Sequence, residues 1–288
     1  MSLIGEKEER KMIEGNKGVV LITGASAGMG KATAELLLEK GYVVYSAARR
    51  IERMQDLEAK GAKLIALDVT DEQSMVNGIN RIMEEQGRID VLFNNAGYGS
   101  YGAVEDVTLE EARRQFEVNL FGLSRLTQLV LPHMRRQKSG KIINNSSTGG
   151  RIYTPLGAWY HATKHALEGY SDCLRLEVAP FGIDVVVIQP GSIKSEWSNI
   201  MLEYVQKTSG KGAYANMTNA YIKMASNMIN QASSPYVIGK IVMKAIEAKR
   251  PKTRYAAGQF AKPMLFLRSV LTDRMFDRLL YLMLRQSV

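Results

Sequence analysis

The fold of this chain is decided by residues 18–30, which read Gly18-Val19-Val20-Leu21-Ile22-Thr23-Gly24-Ala25-Ser26-Ala27-Gly28-Met29-Gly30. The first half is an apolar, β-branched run that predicts a buried strand, and the second half is a turn rich in glycine. A helical pattern follows over Lys31–Lys40 and ends at Gly41. This order is typical of a phosphate bound to backbone amides at a helix N-terminus, with an ordinary turn as the alternative.

Strands alternate with helices along most of the chain. After the first strand, further strands are predicted at Tyr42–Ala48, Lys63–Leu67, Asp90–Asn94, Lys141–Asn145, Ile183–Ile188 and Thr253–Ala257. Between them lie helical patterns, including a long one from about Leu109 to Arg136 and one that carries Tyr160 to about Val178. The alternation predicts an α/β fold, a single Rossmann-type doubly wound parallel sheet of about seven strands with helices on both faces.

Polar residues repeatedly follow the carboxyl ends of the predicted strands. The segments are Asp68-Val69, Asn94-Asn95-Ala96-Gly97, Ser146-Ser147 and Gln189-Pro190-Gly191. Ligands bind outside the carboxyl ends of strands in sheets of this kind. The sequence therefore predicts a ligand site along this edge of the sheet.

The end of the second strand indicates which dinucleotide the site prefers. An acid there would bond the ribose hydroxyls of NAD, but the chain has Ala47-Ala48 followed by Arg49-Arg50. An arginine without an acid beside it suits a 2′-phosphate. The sequence favours NADP(H) over NAD(H); the alternative is that both arginines only begin the next helix.

Tyr160 and Lys164 are four residues apart and share one face of a helix. A nearby ammonium lowers the pKa of a tyrosine, so the pair can move a proton to or from an oxygen atom. A packed ring beside a solvated amine is the alternative. His161, His165 and Glu168 have a spacing seen in zinc sites, but Glu does not follow His161 as it does in zinc proteases, and no metal is predicted.

Composition and charge limit the class of protein. The chain has 288 residues, 45% of them hydrophobic, and one cysteine, Cys173, which excludes an intramolecular disulfide and which we expect to be a small core residue. A cytoplasmic location is expected from this cysteine usage. Residues 1–17 do not resemble a signal peptide, and no apolar run reaches the roughly 18 residues of a spanning helix.

The net charge of +9 is concentrated near the C-terminus, where residues 240–288 hold eleven Lys and Arg against three acids. These charges alternate with apolar residues, so a solvated face is favoured and no nucleic-acid partner is expected. Two amphipathic helices are predicted at Phe260–Leu271 and Asp273–Leu284. They have three open placements: a membrane surface, the substrate pocket or a dimer contact. The inside of the protein is favoured over membrane contact.

Beyond Ser195 the regular alternation is lost. Helices predicted at Trp197–Lys207 and Met217–Asn230 are rich in Met and aromatic residues, which suit either a lid over an apolar pocket or ordinary core. We expect an N-terminal extension at residues 1–16 and a single dinucleotide-binding catalytic domain at 17–288. Within it, residues of about 195–235 would bind substrate and about 258–288 would form a helical C-terminal extension.

Taken in order, these motifs resemble the short-chain dehydrogenase/reductase family over about residues 18–195. The resemblance rests on Thr23-Gly24-x-x-x-Gly28-x-Gly30, Asp68, Asn94-Asn95-Ala96-Gly97, the set Asn119, Ser147, Tyr160 and Lys164, and Pro190-Gly191. Ser195 departs from it, because threonine is commoner there. A weaker resemblance in Arg254-Tyr255 and residues 273–277 points to members that act on bulky lipophilic ketones and alcohols, such as steroid or retinoid reductases.

The resemblance implies roles for four catalytic residues. Tyr160 would protonate the substrate oxygen, and Ser147 would hydrogen-bond it. Lys164 would hold the nicotinamide ribose and lower the tyrosine pKa, and Asn119 would hold a water linked to Lys164. Ser147 and Tyr160 would contact substrate. The implied cofactor-binding residues are Gly24, Ser26, Gly28, Met29, Gly30, Arg49, Asp68, Val69, Asn95, Ala96, Gly97, Tyr160, Lys164, Pro190, Gly191 and Ile193.

The leading function from these expectations is hydride transfer between NADP(H) and a lipophilic ketone, aldehyde or secondary alcohol. The resemblance implies a homodimer or homotetramer. Two alternatives stay open: a dinucleotide-binding regulator without turnover, and a membrane-peripheral binding protein that uses the basic C-terminal segment.

Overall fold

The computed structural model describes residues 17–285, and a seven-stranded parallel sheet forms its centre. The strands are β1 (Val19–Thr23), β2 (Val43–Ala48), β3 (Lys63–Ala66), β4 (Val91–Asn94), β5 (Gly140–Asn145), β6 (Ile183–Pro190) and β7 (Arg254–Ala257). Their order across the sheet is β3-β2-β1-β4-β5-β6-β7, so the winding reverses between β1 and β4. The predicted doubly wound parallel sheet is therefore confirmed.

Helices cover both faces of the sheet. They are α1 (Gly28–Glu39), α2 (Gln55–Glu58), α3 (Glu72–Gln86), α4 (Leu109–Phe116), α5 (Leu123–Gln137), α6 (Ala158–Val178), α7 (Glu196–Ser209), α8 (Ala215–Asn230), α9 (Tyr236–Glu247), α10 (Ala261–Val270) and α11 (Asp273–Arg285). Within residues 17–285, no helix combines the length and the apolar character that crossing a bilayer requires.

β1 shows how the sheet divides the core. Val20 and Ile22 pack in a cluster with side chains of α1 and α9, whereas Val19 and Leu21 pack in a second cluster with side chains of α3, α5 and α6. All four residues are 0% exposed. Successive residues of a strand point to opposite faces, so a strand covered on both faces is apolar throughout.

The long helix predicted between Leu109 and Arg136 is interrupted. Residues Glu117–Gly122 form a π-helical turn between α4 and α5, and this turn contains Asn119. A Cβ on Gly122 would lie 2.2 Å from the carbonyl oxygen of Val69, so the turn lies directly against the loop after β3. Such turns are frequent at functional sites. The N-terminal extension expected at residues 1–16 lies outside the described residues.

Candidate active site

The carboxyl ends of β1 and β4 lie side by side where the winding of the sheet reverses. In an open α/β sheet this reversal creates a crevice in which ligands bind. The residues that the sequence analysis placed after strands therefore lie along one edge of the sheet. They are the glycine turn after β1, Asp68 after β3, Asn95 after β4, Ser147 after β5 and Pro190 at the end of β6.

The glycine turn leaves the N-terminus of α1 open to a ligand. Gly24 and Gly28 have φ values of +65° and +56°, and a Cβ on Gly30 would lie 2.5 Å from the Gly24 carbonyl oxygen. Ser26 and Met29 are half-buried in the same turn. No side chain caps α1, and its first turn holds no acid. Uncapped N–H groups and the helix dipole suit a pyrophosphate, so the turn fits a dinucleotide.

Asn95 fixes the glycine turn to β4. Its N–H and that of Ala96 both donate to Thr23 Oγ1 at 3.0 Å. Its Nδ2 donates to the carbonyl oxygens of Thr23 and Gly24 at 3.0 and 3.1 Å. Asn145 Nδ2, at the end of β5, donates to Asn95 Oδ1 at 3.0 Å. Residues of three neighbouring strands therefore hold the turn in one conformation.

The end of β2 carries the residues expected to select the cofactor. Ala47 and Ala48 are buried, and the Ala47 carbonyl accepts from the Ala25 N–H of the glycine turn at 3.2 Å. Arg49 is exposed directly after them. Arg53 pairs with Glu196 at the start of α7, which links this end of the sheet to the segment after β6.

Asp68 and Val69 shape the loop after β3. Asp68 Oδ1 accepts from the N–H and the hydroxyl of Thr70 at 2.9 and 2.8 Å. Val69 is buried against the π-helical turn at Gly122. These contacts account for loop shaping, and the expected contact of Asp68 and Val69 with the cofactor stays a prediction.

Asn119 is fully buried and holds the loop after β4. Its Oδ1 accepts from the Tyr98 N–H at 3.0 Å, and its Nδ2 donates to the Tyr98 carbonyl at 2.8 Å and to Thr163 Oγ1 at 3.2 Å. A Cβ on Gly97 would lie 3.0 Å from Asn119 Oδ1 and 3.8 Å from Lys164 Nζ, so both side chains adjoin Gly97. The contacts give Asn119 a positioning role; the water expected beside it stays a prediction.

Ser147, Tyr160 and Lys164 come together between β5 and α6. Ser147 Oγ accepts from the Gly149 N–H at 3.0 Å, and the Ser147 hydroxyl also hydrogen-bonds the Tyr160 phenol. Lys164 Nζ lies 5.9 Å from the centre of the Tyr160 ring and donates to the Asn145 carbonyl at 2.8 Å. Tyr160 and Lys164 are 9% and 6% exposed, so the proton-bearing groups are shielded from bulk water.

Burial sets the protonation states of Tyr160 and Lys164. It raises the pKa of Tyr160 to about 12, and the Ser147 hydrogen bond acts in the opposite direction. It lowers the pKa of Lys164 to about 8, with the charge of Glu168 acting in the opposite direction. The expectation that the Tyr160 pKa is lowered is not met here, because loss of solvent outweighs the hydrogen bond. A phenol that keeps its proton at neutral pH suits donation to a carbonyl oxygen.

Glu168 is a buried carboxylate of this site that was not predicted from the sequence. It lies one turn after Lys164 on α6 and is 4% exposed. Its oxygens accept from Gln189 Nε2 of β6 at 2.9 Å and from Arg254 Nε of β7 at 2.8 Å, and Arg151 Nε lies 3.4 Å away. The sequence feature that could have indicated this role is the spacing: Glu168 follows Lys164 by four residues, so the two side chains share one face of the helix.

Tyr160 faces a cluster of aromatic and apolar side chains. Its ring centre is 5.5 Å from that of Tyr101 and 5.4 Å from that of Trp197, and Tyr221 stacks on Tyr101 at 5.9 Å. The same cluster includes Met201, Val205, Met224 and Leu284. Tyr101 was not among the site residues predicted from the sequence, although its position in the loop after β4 pointed to the site.

The segment after β6 is held between two loops. The Gly191 N–H donates to the Ala257 carbonyl at 2.9 Å, and a Cβ on Gly191 would lie 2.2 Å from the Gln259 carbonyl oxygen. Ile193 is 6% exposed and forms a bridge with Ser233. These contacts fix the chain that follows Pro190, while the expected cofactor contacts of Pro190, Gly191 and Ile193 stay predictions.

The two histidines of α6 are engaged in the fold. His161 Nε2 accepts from the Thr154 N–H at 3.1 Å, so Nδ1 carries the proton and donates to the Gly149 carbonyl at 2.9 Å. His165 Nδ1 lies 2.9 Å from the His161 carbonyl oxygen. In the described part of the chain, no group of three His, Cys, Asp or Glu is arranged to hold a metal. Cys173 is exposed, so its assignment to the core was wrong.

Known proteins share both the sequence pattern and the fold. Residues 18–203 match the family described as short chain dehydrogenase. A 3-ketodihydrosphingosine reductase of Bacteroides thetaiotaomicron is 36% identical over 252 residues, which cover 87% of this chain and 91% of that protein. An NADPH-dependent 3-dehydrocapnine reductase of Ornithobacterium rhinotracheale is 34% identical over 279 residues, 91% of this chain and 95% of that protein.

A solved structure gives the same picture of the fold. The crystal structure of a short-chain dehydrogenase from Streptomyces avermitilis matches with a TM-score of 0.78 at 33% identity, over 91% of this chain and 94% of that one. The agreement extends over nearly the whole described chain, so it includes the elements that carry the crevice.

Proposed function

The chain belongs to the short-chain dehydrogenase/reductase family, and from that premise we propose that it is an NADP(H)-dependent reductase of lipophilic ketones or aldehydes. The observation that carries this proposal is the group of Ser147, Tyr160 and Lys164 beside the crevice. Tyr160 is buried, and its phenol hydrogen-bonds the Ser147 hydroxyl. Lys164 Nζ lies over the Tyr160 ring and donates a hydrogen bond to the Asn145 carbonyl. This group can donate a proton to an oxygen that accumulates charge.

The role of each residue follows from its contacts. The dinucleotide, when bound, supplies the hydride. Tyr160 donates its phenolic proton to the carbonyl oxygen, and Ser147 hydrogen-bonds that oxygen as negative charge develops on it. Lys164 places a positive charge beside the phenolate that remains. Asn119 keeps the loop at Tyr98 and Gly97 against Lys164.

The preference for NADP(H) is supported by Arg49. The residue is exposed directly after β2, where the chain has alanines in place of an acid. A free guanidinium at that point suits a 2′-phosphate. The name of the relative from Ornithobacterium rhinotracheale, an NADPH-dependent reductase, agrees with this choice.

The substrate is proposed to be a lipophilic ketone. Tyr101 and Trp197 contact the Tyr160 ring, Tyr221 stacks on Tyr101, and methionines of α7 and α8 extend the cluster. Apolar side chains of this kind bind the apolar part of a ligand, and Met adapts to irregular shapes. Two relatives are named as reductases of 3-ketodihydrosphingosine and 3-dehydrocapnine, which makes these ketones the first to test.

The function is tested by NADPH oxidation with a panel of ketones that includes these two and a short, water-soluble ketone. We expect Tyr160→Phe to lower kcat/KM about a hundred- to ten-thousandfold, because it removes the proton donor. Tyr98→Phe is the matched control, since its hydroxyl contacts Glu111 at 3.0 Å and not Tyr160. Equal turnover by wild type and Tyr160→Phe would refute the mechanism. NADPH binding without turnover of any ketone would favour the regulator instead.

We also propose that the protein is a cytoplasmic homodimer or homotetramer. Leu109, Phe116, Phe121 and Trp159 line a surface groove on α4, the π-helical turn and α6. Trp159 Nε1 is buried there without a hydrogen-bond partner among the described residues. An apolar groove with an unpaired donor supports a subunit contact at this place.

A further inference from the structure

α11, the last helix of the described chain, has two faces of different composition. Its inner face carries Phe276, Leu280 and Leu284, which are 0%, 5% and 6% exposed. Phe276 and Leu280 pack with Ile152, and Leu284 belongs to the cluster that contains Tyr160. α11 therefore forms part of the wall around the proposed substrate pocket.

Six of the seven exposed positions of α11 (274, 275, 278, 281, 282 and 285) fall within an arc of about 120° and form its outer face, whereas the seventh, Asp273, lies outside this arc. Three of them are arginines, Arg274, Arg278 and Arg285. The others are Met275, Tyr281 and Leu282, which are 50%, 56% and 56% exposed. A helix face that only meets water carries polar residues, whereas arginines interleaved with large apolar residues are typical of a helix lying in a lipid interface.

The positive charge of the outer face is not offset by the acids of the same helix. Asp273 pairs with Arg268 at 2.8 Å, and Asp277 accepts a hydrogen bond from Tyr153 at 2.9 Å. Neither acid occupies one of the six outer positions. The outer face therefore presents three guanidinium groups and no carboxylate.

We propose that the outer face of α11 docks on the surface of an anionic bilayer. The arginines would bind lipid phosphates, and Met275, Tyr281 and Leu282 would enter the boundary between headgroups and acyl chains. The preceding helix, α10, contributes Phe266 and Val270, which are 65% and 58% exposed. α11 has 13 residues and lies along the protein, so the contact is peripheral and reversible.

A second copy of this chain fits the outer face less well than a bilayer does. A twofold contact would place the three arginines of one protomer against the same arginines of its partner, with no carboxylate between them. Lipid phosphates supply the opposite charge. From the sequence, we expected this helix to pack against the inside of the protein. In the structure only its inner face is buried, and its outer face is exposed.

Docking would bring the proposed pocket next to the source of a lipophilic substrate. Leu284 contacts the pocket cluster from the inner face, while Arg285 and Leu282 lie on the outer face of the same turn. A substrate would then pass between bilayer and pocket with little exposure to water. This consequence rests on the proposed function, whereas the docking itself does not.

Flotation of the full-length protein with vesicles tests the docking. Vesicles of phosphatidylcholine with phosphatidylglycerol are compared with vesicles of phosphatidylcholine alone. We expect the wild type to float with the anionic vesicles only. Replacing Arg274, Arg278 and Arg285 by Gln should lower the partition coefficient on the order of a hundredfold, and replacing Met275, Tyr281 and Leu282 by Ser should also release the protein.

The matched control replaces Lys240, Lys244 and Lys249 by Gln. These lysines are exposed on and just after α9, so the control removes the same charge from the same basic segment and should float as the wild type does. The proposal is overturned if the wild type does not float, if the lysine variant is released equally, or if light scattering shows that the serine variant splits a dimer. Circular dichroism and thermal unfolding, which do not depend on the proposed function, show that the variants fold. A wild type that floats but turns over no ketone would count against the proposed function alone.

Discussion

His161 adjoins Tyr160 on α6 and stays neutral in the folded protein. Burial lowers the pKa of His161 to about 4, and the charge of His165 adds to this effect. Because His161 Nε2 accepts the Thr154 N–H, protonation there would place two donors against each other. An unfolded histidine takes up a proton near pH 6.5. Stability therefore falls as the pH falls from about 6.5 towards 4, since only the unfolded chain binds the proton in this window.

The variant His161→Gln removes this titration and keeps an acceptor for Thr154. We expect the wild type to lose roughly 3 kcal/mol of its free energy of unfolding between pH 7.5 and 4 through this histidine, and the variant to lose correspondingly less. Urea unfolding at several pH values measures the difference. His165→Gln, at an exposed position of the same helix, is the control and should keep most of the wild-type slope, because burial is the larger cause of the lowered His161 pKa. An unchanged slope in His161→Gln would contradict the assignment.

Arg49 is the side chain on which the proposed preference for NADP(H) depends. Replacing it by Asp reverses the charge that the 2′-phosphate would meet and places an acid where NAD ribose hydroxyls would bind. We expect the KM for NADPH to rise on the order of a hundredfold while that for NADH changes little. Steady-state kinetics with both cofactors, and Arg136→Asp as an exposed control on α5, provide the measurement. Equal losses with both cofactors would refute the role.

At the scale of elements, Glu168 joins four parts of the structure around the site. It extends from α6 to β6 through Gln189, to β7 through Arg254 and to the turn after Ser147 through Arg151. A Cβ on Gly150 would lie 2.9 Å from Glu168 Cγ, so that turn packs directly on the carboxylate. The same carboxylate opposes the fall of the Lys164 pKa. Glu168 therefore combines a mechanical link with an electrostatic one.

The electrostatic link predicts a shift in pH dependence. Burial lowers the pKa of Lys164 to about 8, so kcat/KM for ketone reduction should decline above that pH as the ammonium is lost. Glu168→Gln removes the charge that favours the ammonium and should move this decline to lower pH, with kcat/KM at pH 9 lower on the order of tenfold. A pH profile of kcat/KM measures it.

Asp172→Asn is the control for that profile. Asp172 lies one turn further along α6, accepts from the same Arg254 at 2.7 Å and has a side chain that is 38% exposed. A variant that only loosens the ion pairs lowers activity at every pH alike. The interpretation fails if both variants leave the decline at the wild-type pH.

The sequence predicted the elements well because their signals are local. β1, α6 and α11 each begin and end within two residues of the predicted bounds. The π-helical turn at Asn119 carries no such signal, since it depends on the contact of Gly122 with the loop at Val69. Tyr101 and the pairing of Glu168 with Arg254 were missed for the same reason: the partners are far apart in sequence and meet only in the folded chain.

At the scale of the whole molecule, the class of fold was predictable and the surfaces were not. Alternating strands and helices leave few topologies besides a doubly wound parallel sheet, because crossover connections are right-handed. The excess of basic residues after position 240 was visible in the sequence, but not its division between α9 and the outer face of α11. Assigning the basic residues to a helix face requires knowing which side of each helix is covered. For α11 this is known only from the folded structure, in which Phe276 and Leu280 pack with Ile152.

The strand order also has a consequence for how the chain is made. Each strand after β1 is added at an outer edge of the strands already formed, so no strand has to enter between two that are paired. The ribosome extends the chain by about 5–20 residues per second, so the strands emerge in an order in which each can pair with an edge of the existing sheet. β7 brings Arg254, and until this strand is made the buried Glu168 lacks that counter-ion. The ion pair between Glu168 and Arg254 therefore forms only after β7 has been synthesised.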